Sequence, residues 1–180
     1  GYEPALSTNR QLLARTPLAQ MLPQVRIGGI ATFPLVQASS IYLPPQGMRP
    51  AMADMILVTA IDLDQPNIVQ SLAIVGTADA VYASSANLFV ATSRYNSMYP
   101  TTSGVPVEPA FYLTDIHQIG IGASAMTVAG SGSLEGYLDT NPDKASFRLS
   151  EYQGRLRAVT SSARIWGGVN QNRLTILERS

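Results

Sequence analysis

The side chains able to do chemistry in this sequence are few and scattered. His117 is the sole histidine and lies two residues from Asp115, so on a strand the two share a face. An Asp–His pair can prepare a general base. Serines and threonines are plentiful elsewhere, but no nucleophile motif accompanies the pair, and a structural, hydrogen-bonded histidine is expected. Asp139-Thr140-Asn141-Pro142-Asp143 sets oxygen ligands at alternate positions, as a calcium loop does. Lys144 stands where that loop needs glycine and Ser150 where it needs a bidentate glutamate, so an Asx/Pro turn is expected. Asp62, Asp64 and Asn67 form a weaker set of the same kind. Gly120-Ile121-Gly122-Ala123-Ser124-Ala125 matches G-x-G-x-x-A, but a dinucleotide site needs a helix to open there. The following Met126–Gly132 run is β-like and glycine-broken, which favours a turn. Arg148, Arg155, Arg157 and Arg164, with Tyr152 and Trp166, could form a face for an anion or a partner. Arg155 and Arg157 share a strand face with Leu156 opposite, and Glu151 is near enough in sequence to neutralise one, so a solvated face is expected. Asp115, Glu135 and Asp139 fall in one region and are the candidates for a glycosidase-type carboxylate pair. No coherent constellation results: no catalytic, cofactor-binding or metal-binding residue is assigned, and no cofactor is expected.

Composition narrows the classes further. The chain has 180 residues, 46% apolar and 13% charged, so it carries enough core and too few charges for a disordered chain. Twelve basic residues balance twelve acidic ones, which argues against a nucleic-acid partner, because phosphate neutralisation needs a basic excess. With no cysteine there is no disulfide, thiolate nucleophile or cysteine-held metal. Ser71–Ser93 is the most apolar stretch and long enough for a membrane helix. Asp79 and the polar Ser84-Ser85-Ala86-Asn87 make strand–turn–strand the better reading, and no transmembrane segment is expected.

The elements that must position these residues are mostly β. Residues 7–22 form the best helical stretch, with Ser7 and Thr8 as caps, Pro17 starting a second short helix and Pro23 ending it. Residues 1–24 are therefore expected to be an N-terminal helical segment and 25–180 a β domain. Leu35-Val36 and Ser40–Leu43 read as strands, and Met55–Leu63, apolar on both faces, as a strand covered on both sides. Val69–Val75, Ala80–Ser84 and Leu88–Thr92 complete four strands in about 40 residues, the arithmetic of one propeller blade. A second round follows at Phe111–Ile119, Thr127–Leu138, Ala145–Leu149 and Leu156–Thr160. A turn-then-strand element recurs at Asn87–Thr92, Gly154–Thr160 and Asn172–Leu177. Tyr95–Gly104 reads as a polar, partner-facing loop and Val105–Pro109 as a proline-punctuated connection.

Several of these segments together resemble a known family. They are Thr114-Asp115-Ile116-His117, the run Val128–Leu138 with its glycines, and Phe147–Thr160 with Glu151, Gly154 and Arg157. Upstream, Met21-Leu22-Pro23, Ser39–Pro44, Ala60–Leu63 and Ala80–Ser84 agree in order and spacing. The pattern is similar to that of bacterial and archaeal secreted proteins with a C-terminal β-propeller domain, over roughly residues 12–180. The family's pattern more often has Asp where Ser150 stands, and its chains are several times longer. The resemblance implies a secreted, periplasmic or cell-surface location. It also implies a fragment or truncated member with two to three blades' worth of strands in an incomplete ring. The blade edges would then be covered by the N-terminal helices, a loop or another chain.

The expected fold is mainly β: propeller-like antiparallel blades with short N-terminal helices, a β-sandwich being the alternative. The expected function is a non-catalytic, exported binding or scaffolding module. Its partner would be a protein or polysaccharide, with homo-oligomers through blade edges. The alternative is a hydrolase acting on polysaccharide or peptide through carboxylates on a blade edge.

Overall fold

A computed structural model describes residues 2–27, 31–43, 54–65, 69–96, 111–122, 125–162 and 171–179. The chain forms two compact units, Gly1–Ile41 with Leu57–Ala73, and Tyr42–Ile56 with Ile74–Ser180.

In the first unit, α1 (Tyr2–Arg15) and α2 (Leu18–Met21) are separated at Thr16-Pro17. The break falls where proline forbids a continuous helix, and Thr16 closes α1 by bonding the Leu12 carbonyl through both its amide (2.9 Å) and its hydroxyl (2.7 Å). Ser7 and Thr8 are not caps. α1 begins earlier, with Pro4 in the first turn, where an amide would have no helical partner, and the Thr8 hydroxyl bonds back to the Pro4 carbonyl. β1 (Gln24–Ile27) pairs antiparallel with β2 (Ala31–Pro34). Leu35-Val36 is a bend after β2 rather than a strand, with Val36 buried. β3 (Ile41–Tyr42), β4 (Met55–Ile61) and β5 (Val69–Val75), each of which is cut by a unit boundary, make a sheet in the order β3-β5-β4. The strand covered on both faces is thus the central β5, with Leu72, Ala73 and Ile74 buried in succession, and not β4, an edge strand that is mostly half-buried.

The second unit contains a four-stranded antiparallel meander, β6 (Ala80–Ala83), β7 (Asn87–Asn96), β8 (Phe111–Ile121) and β9 (Met126–Glu135), in sequence order. A three-stranded sheet follows, β10 (Leu149–Tyr152), β11 (Arg155–Ser162) and β12 (Gln171–Leu177). The fold is mainly β in antiparallel, blade-like sheets, as expected, but the blade boundary lies two strands later than the strand count suggests. Gly76, at φ +148°, ends β5, and the meander starts only at β6. The expected strand over Ala145–Leu149 is instead α3 (Pro142–Ala145) and a 3-10 turn (Ser146–Arg148), so β10 begins at Leu149. Of the expected polar loop, Tyr95 and Asn96 belong to β7; the remainder lies outside the described residues, as does Val105–Pro109.

Register explains which residues face the core. Ala80, Ala91 and Ile116 form one cross-strand row of the meander, and Tyr82, Phe89 and Gln118 the next. Leu149 and Ala158 form a row of the second sheet, and Glu151, Leu156 and Leu177 another. These faces oppose each other through a core of Phe89, Ala91, Ile116, Leu134, Leu138, Leu149, Leu156 and Ala158, with Ala145 of α3 at its side. The β10–β11 hairpin turns at Gln153 (φ 50°) and Gly154 (φ 75°), the two positive values a type I′ turn demands.

The sheets touch where β9 ends. Gly136 lies at φ +99°, and a Cβ there would sit 2.8 Å from the Ser161 carbonyl oxygen. Its neighbour Tyr137 exchanges two backbone hydrogen bonds with Ser161, at 3.0 and 2.8 Å. The Thr114 hydroxyl donates to the Gly136 carbonyl (2.7 Å), and that of Thr160 donates to the Glu135 carbonyl (2.8 Å). Gly136→Ala is therefore expected to cost about 1–3 kcal/mol in chemical denaturation, from backbone strain and the clash. Gly130→Ala, whose new methyl meets nothing within 4 Å, is the control and should leave stability unchanged or slightly raised.

Candidate functional site

β8 carries the residues singled out for chemistry, and the alternation of its side chains sorts them. Thr114 and Ile116 point to the inter-sheet core, whereas Asp115 and His117 lie on the opposite face; all four are buried. The structure thus brings Asp115 and His117 to one face but gives them different partners. Register sets Ser133 beside Asp115 and Ser131 beside His117. Asp115 accepts from Arg94 Nε at 2.7 Å and from Ser133 Oγ at 2.5 Å. His117 Nδ1 is 2.7 Å from Ser131 Oγ. A Ser–His pair at that distance has the reach of a nucleophile and its base. The carboxylate that would orient the imidazole is instead engaged by Arg94 and Ser133. Burial holds the His117 imidazolium below its ordinary pKa, with Asp115 pulling weakly the other way.

The remaining carboxylates are held singly. Glu135 pairs with Arg173 at 2.9 Å, and Asp139 with Arg148 at 3.3 Å. Asp139 Oδ1 accepts the Asn141 amide (3.0 Å), and Asn141 Oδ1 accepts the Asp143 amide (3.0 Å), capping α3. These oxygens form an Asx turn and a helix cap. The Asn141 amide, opposed by desolvation and aided by Arg148 and Lys144, keeps the Asp139 carboxyl below the usual range. Asp62 Oδ1 likewise accepts the amides of Asp64 and Gln65, at 2.9 and 3.2 Å, while Asn67 lies outside the described residues. Among the described residues no group of three or more His, Asp and Glu side chains is placed to hold a metal ion. Gly120 and Ile121 end β8, the Gly122 amide donates to the Ala125 carbonyl (3.0 Å), and β9 begins at Met126, so G-x-G-x-x-A is followed by a strand and not a helix; Ala123 and Ser124 lie outside the described residues.

The arginines separate in the same way. Arg155 and Arg157 do share the outer face of β11, with Leu156 opposite and buried. Glu151 neutralises neither: Arg155 pairs with Glu178 at 2.8 Å, and the Arg157 guanidinium stacks 5.1 Å from the Tyr152 ring centroid. Arg164 and Trp166 lie outside the described residues.

Glu151 faces inward beside Leu156, a position that a strand ending at Leu149 does not include. Its signal is the alternation of β10 itself: if Leu149 is core-facing, so is Glu151. Its Oε1 accepts from Asn87 Nδ2 (2.8 Å), its Oε2 from the Ser84 hydroxyl, and its amide donates to the Tyr82 hydroxyl (3.0 Å). Asn87 Oδ1 in turn accepts from Gln118 Nε2 (2.9 Å). The Ser84–Asn87 turn of one sheet is thereby clamped to β10 of the other.

Gln118 also lines a cleft of about 170 Å³ between the two sheets. Its floor is Phe89, Ile116, Leu156 and Leu177, and Glu178 and Arg179 stand at its mouth. One wall is Ala129–Gly132 of β9, where Gly130 and Gly132 present no side chain and have open space in front of them. The cleft therefore exists because two glycines occupy positions where core-facing side chains would otherwise close the gap. Its apolar floor with a few polar groups at the rim is the composition of a binding site.

Two expectations follow. Glu151→Ala removes the acceptor of the Asn87 side-chain amide and leaves the Ser84 hydroxyl only its bonds within its own turn, so it should cost about 1–3 kcal/mol in urea denaturation, with Glu151→Gln costing less. The second concerns pH. The unfolded imidazole titrates near ~6.5 and the folded one lower, so the unfolded chain binds more protons between the two values. The neutral His117 contribution is complete above that range and is lost as pH falls through it. Thermal melts between about pH 8 and about pH 5 should show this loss, and His117→Gln should flatten that part of the profile.

A sequence profile described as Beta propeller domain matches residues 2–180 of the chain. No curated protein and no solved structure matches it significantly.

Proposed function

The chain belongs to the beta propeller domain family, and from that premise we propose that it is a non-catalytic, exported module that binds a protein partner through the inter-sheet cleft. The cleft carries the reading. Side chains that could do acid–base work are engaged by arginine, serine or backbone amides, while the open surface between the sheets is apolar and glycine-walled. Its size favours one class of ligand. Pockets for whole small molecules run to roughly 300–1,000 Å³. A cleft of about 170 Å³ suits a single aliphatic or aromatic side chain anchored from a partner's surface. A polysaccharide needs a broader polar face than this floor provides. Export rests on the similarity of Thr114–His117 and Phe147–Thr160 to secreted proteins. No helix among the described residues is long and apolar enough to cross a membrane.

Selection of displayed peptides on the folded protein, followed by titration calorimetry, tests the proposal. The selected peptides should share one apolar or aromatic anchor. Gly132→Val, which fills the cleft at a position with space for a side chain, should weaken them by about tenfold or more, or roughly 1.4 kcal/mol, without lowering the melting temperature. Equal binding by Gly132→Val would remove the cleft from the account. Turnover of a polysaccharide or peptide substrate by the purified chain would remove the non-catalytic reading.

A further inference from the structure

The two sheets of the second unit begin alike and end differently. Each opens with a four-residue strand, β6 or β10, followed by a long one, β7 or β11, and then by β8 or β12. In the meander β9 hydrogen-bonds to the far edge of β8; among the described residues the far edge of β12 has no strand. The other edges of these sheets are blunted. β6 and β10 are short, and the Glu151 amide of β10 is taken by the Tyr82 hydroxyl. β9 contains Gly130 and Gly132, and its pairing is shifted at Gln118/Ile119. β12 has no such feature. It runs for seven residues, Gln171-Asn172-Arg173-Leu174-Thr175-Ile176-Leu177, with no glycine, proline or lysine. Its one charge, Arg173, already pairs with Glu135 at 2.9 Å. Edge strands left so regular are templates for another strand.

We propose that β12 pairs with β12 of a second copy of this chain, antiparallel about a two-fold axis at Leu174. The strand is complementary to itself in one register above others. Leu174 is the midpoint of Gln171–Leu177, so an axis there pairs all seven residues. Arg173 then opposes Thr175, Asn172 opposes Ile176, and no like charges meet, whereas an axis at Arg173 would set the two guanidinium groups face to face. A slip by one residue would turn each strand's outward side chains against the other's inward ones. The chosen register also gathers Leu174 and Ile176, exposed by 61% and 59%, from both copies into one apolar row on the outer face. The result is a continuous six-stranded sheet with an isologous interface. The pairing uses the free edge and outer face of β12, whereas the cleft takes only the inward side chain of Leu177 from this strand, so cross-linking at Leu174 and peptide binding at the cleft are read separately.

The chain has no cysteine, which makes the test direct. Light scattering after size exclusion, at increasing protein concentration, should give a mass near twice 19.2 kDa. Leu174→Cys should cross-link to itself under mild oxidation or with a short bismaleimide, because the axis sets the residue against its own copy. Tyr152→Cys, exposed at the other edge of the same sheet, should not. Leu174→Lys with Ile176→Lys should return the mass to 19.2 kDa with an unchanged circular dichroism spectrum. A wild-type chain that stays at 19.2 kDa overturns the proposal, as happens if β12 is covered by another part of its own chain or by an unrelated protein's strand. Cross-linking of Tyr152→Cys as efficient as that of Leu174→Cys overturns it as well. If the double-lysine variant does not fold, the cross-linking comparison decides alone.

Discussion

The approach of Gly136 to Ser161 is the constraint on which the second unit depends. Two stacked sheets commonly lie about 10 Å apart, a distance set by interdigitating side chains. Here the chain leaving β9 comes within backbone hydrogen-bonding distance of β11, which only a residue without a side chain permits. That contact fixes one end of the interface. Small and large side chains alternate across the rows of that interface, Ala91 beside Ile116 and Ala158 beside Leu149, with Ala80, Phe89, Ala145 and Leu156 completing it. Farther along β9, at Gly130 and Gly132, the same absence of a side chain leaves open space, because no opposing backbone reaches it. Glycine closes the interface at one point and opens it at another.

Polar groups determine how the sheets are aligned. The Glu151 clamp joins the Ser84–Asn87 turn to β10 through two carboxylate hydrogen bonds and a backbone amide. Across β8, Arg94–Asp115–Ser133 and His117–Ser131 link β7, β8 and β9 side by side. The net gain from such buried pairs is small, because desolvation offsets most of the attraction. A strand slipped by one residue would strand both an ion pair and a histidine, so these pairs penalise incorrect register more than they stabilise the correct one.

Much of this was legible in the sequence, with specific exceptions. Short β-type runs bounded by turn residues located β4, β5, β6, β7, β8, β9 and β11, while β12, which has no fully buried residue, was legible from its recurrence with Asn87–Thr92 and Gly154–Thr160. The break at Thr16-Pro17 was legible from proline chemistry, whereas the true start of α1 was obscured by reading Ser7 and Thr8 as caps when the Thr8 hydroxyl bonds back within the helix. Blade phasing was not legible: the β5-to-β6 connection and the β6-to-β7 turn are both short and polar, yet only the second is a hairpin. Ala145–Leu149 alternates like a strand, but Asn141-Pro142 starts a helical turn ahead of it. With β10 beginning only at Leu149, Glu151 turns to the core rather than to the arginines of β11 that its sequence position suggests. The pairing of Asp115 with Arg94 rather than with His117 depends on β7 lying beside β8, a long-range fact that local spacing does not contain.

β8 has hydrogen-bonded neighbours on both edges, and Thr114, Asp115, Ile116, His117 and Ile119 are buried along it. Water has no local route to its amides, so their protons exchange with solvent only when the whole sheet opens. The slowest-exchanging protons in this protein therefore measure the global stability of the second unit. The solvent-exposed α1, where only Leu6 among Pro4–Arg15 is even half-buried, exchanges by fraying and reports nothing about that core.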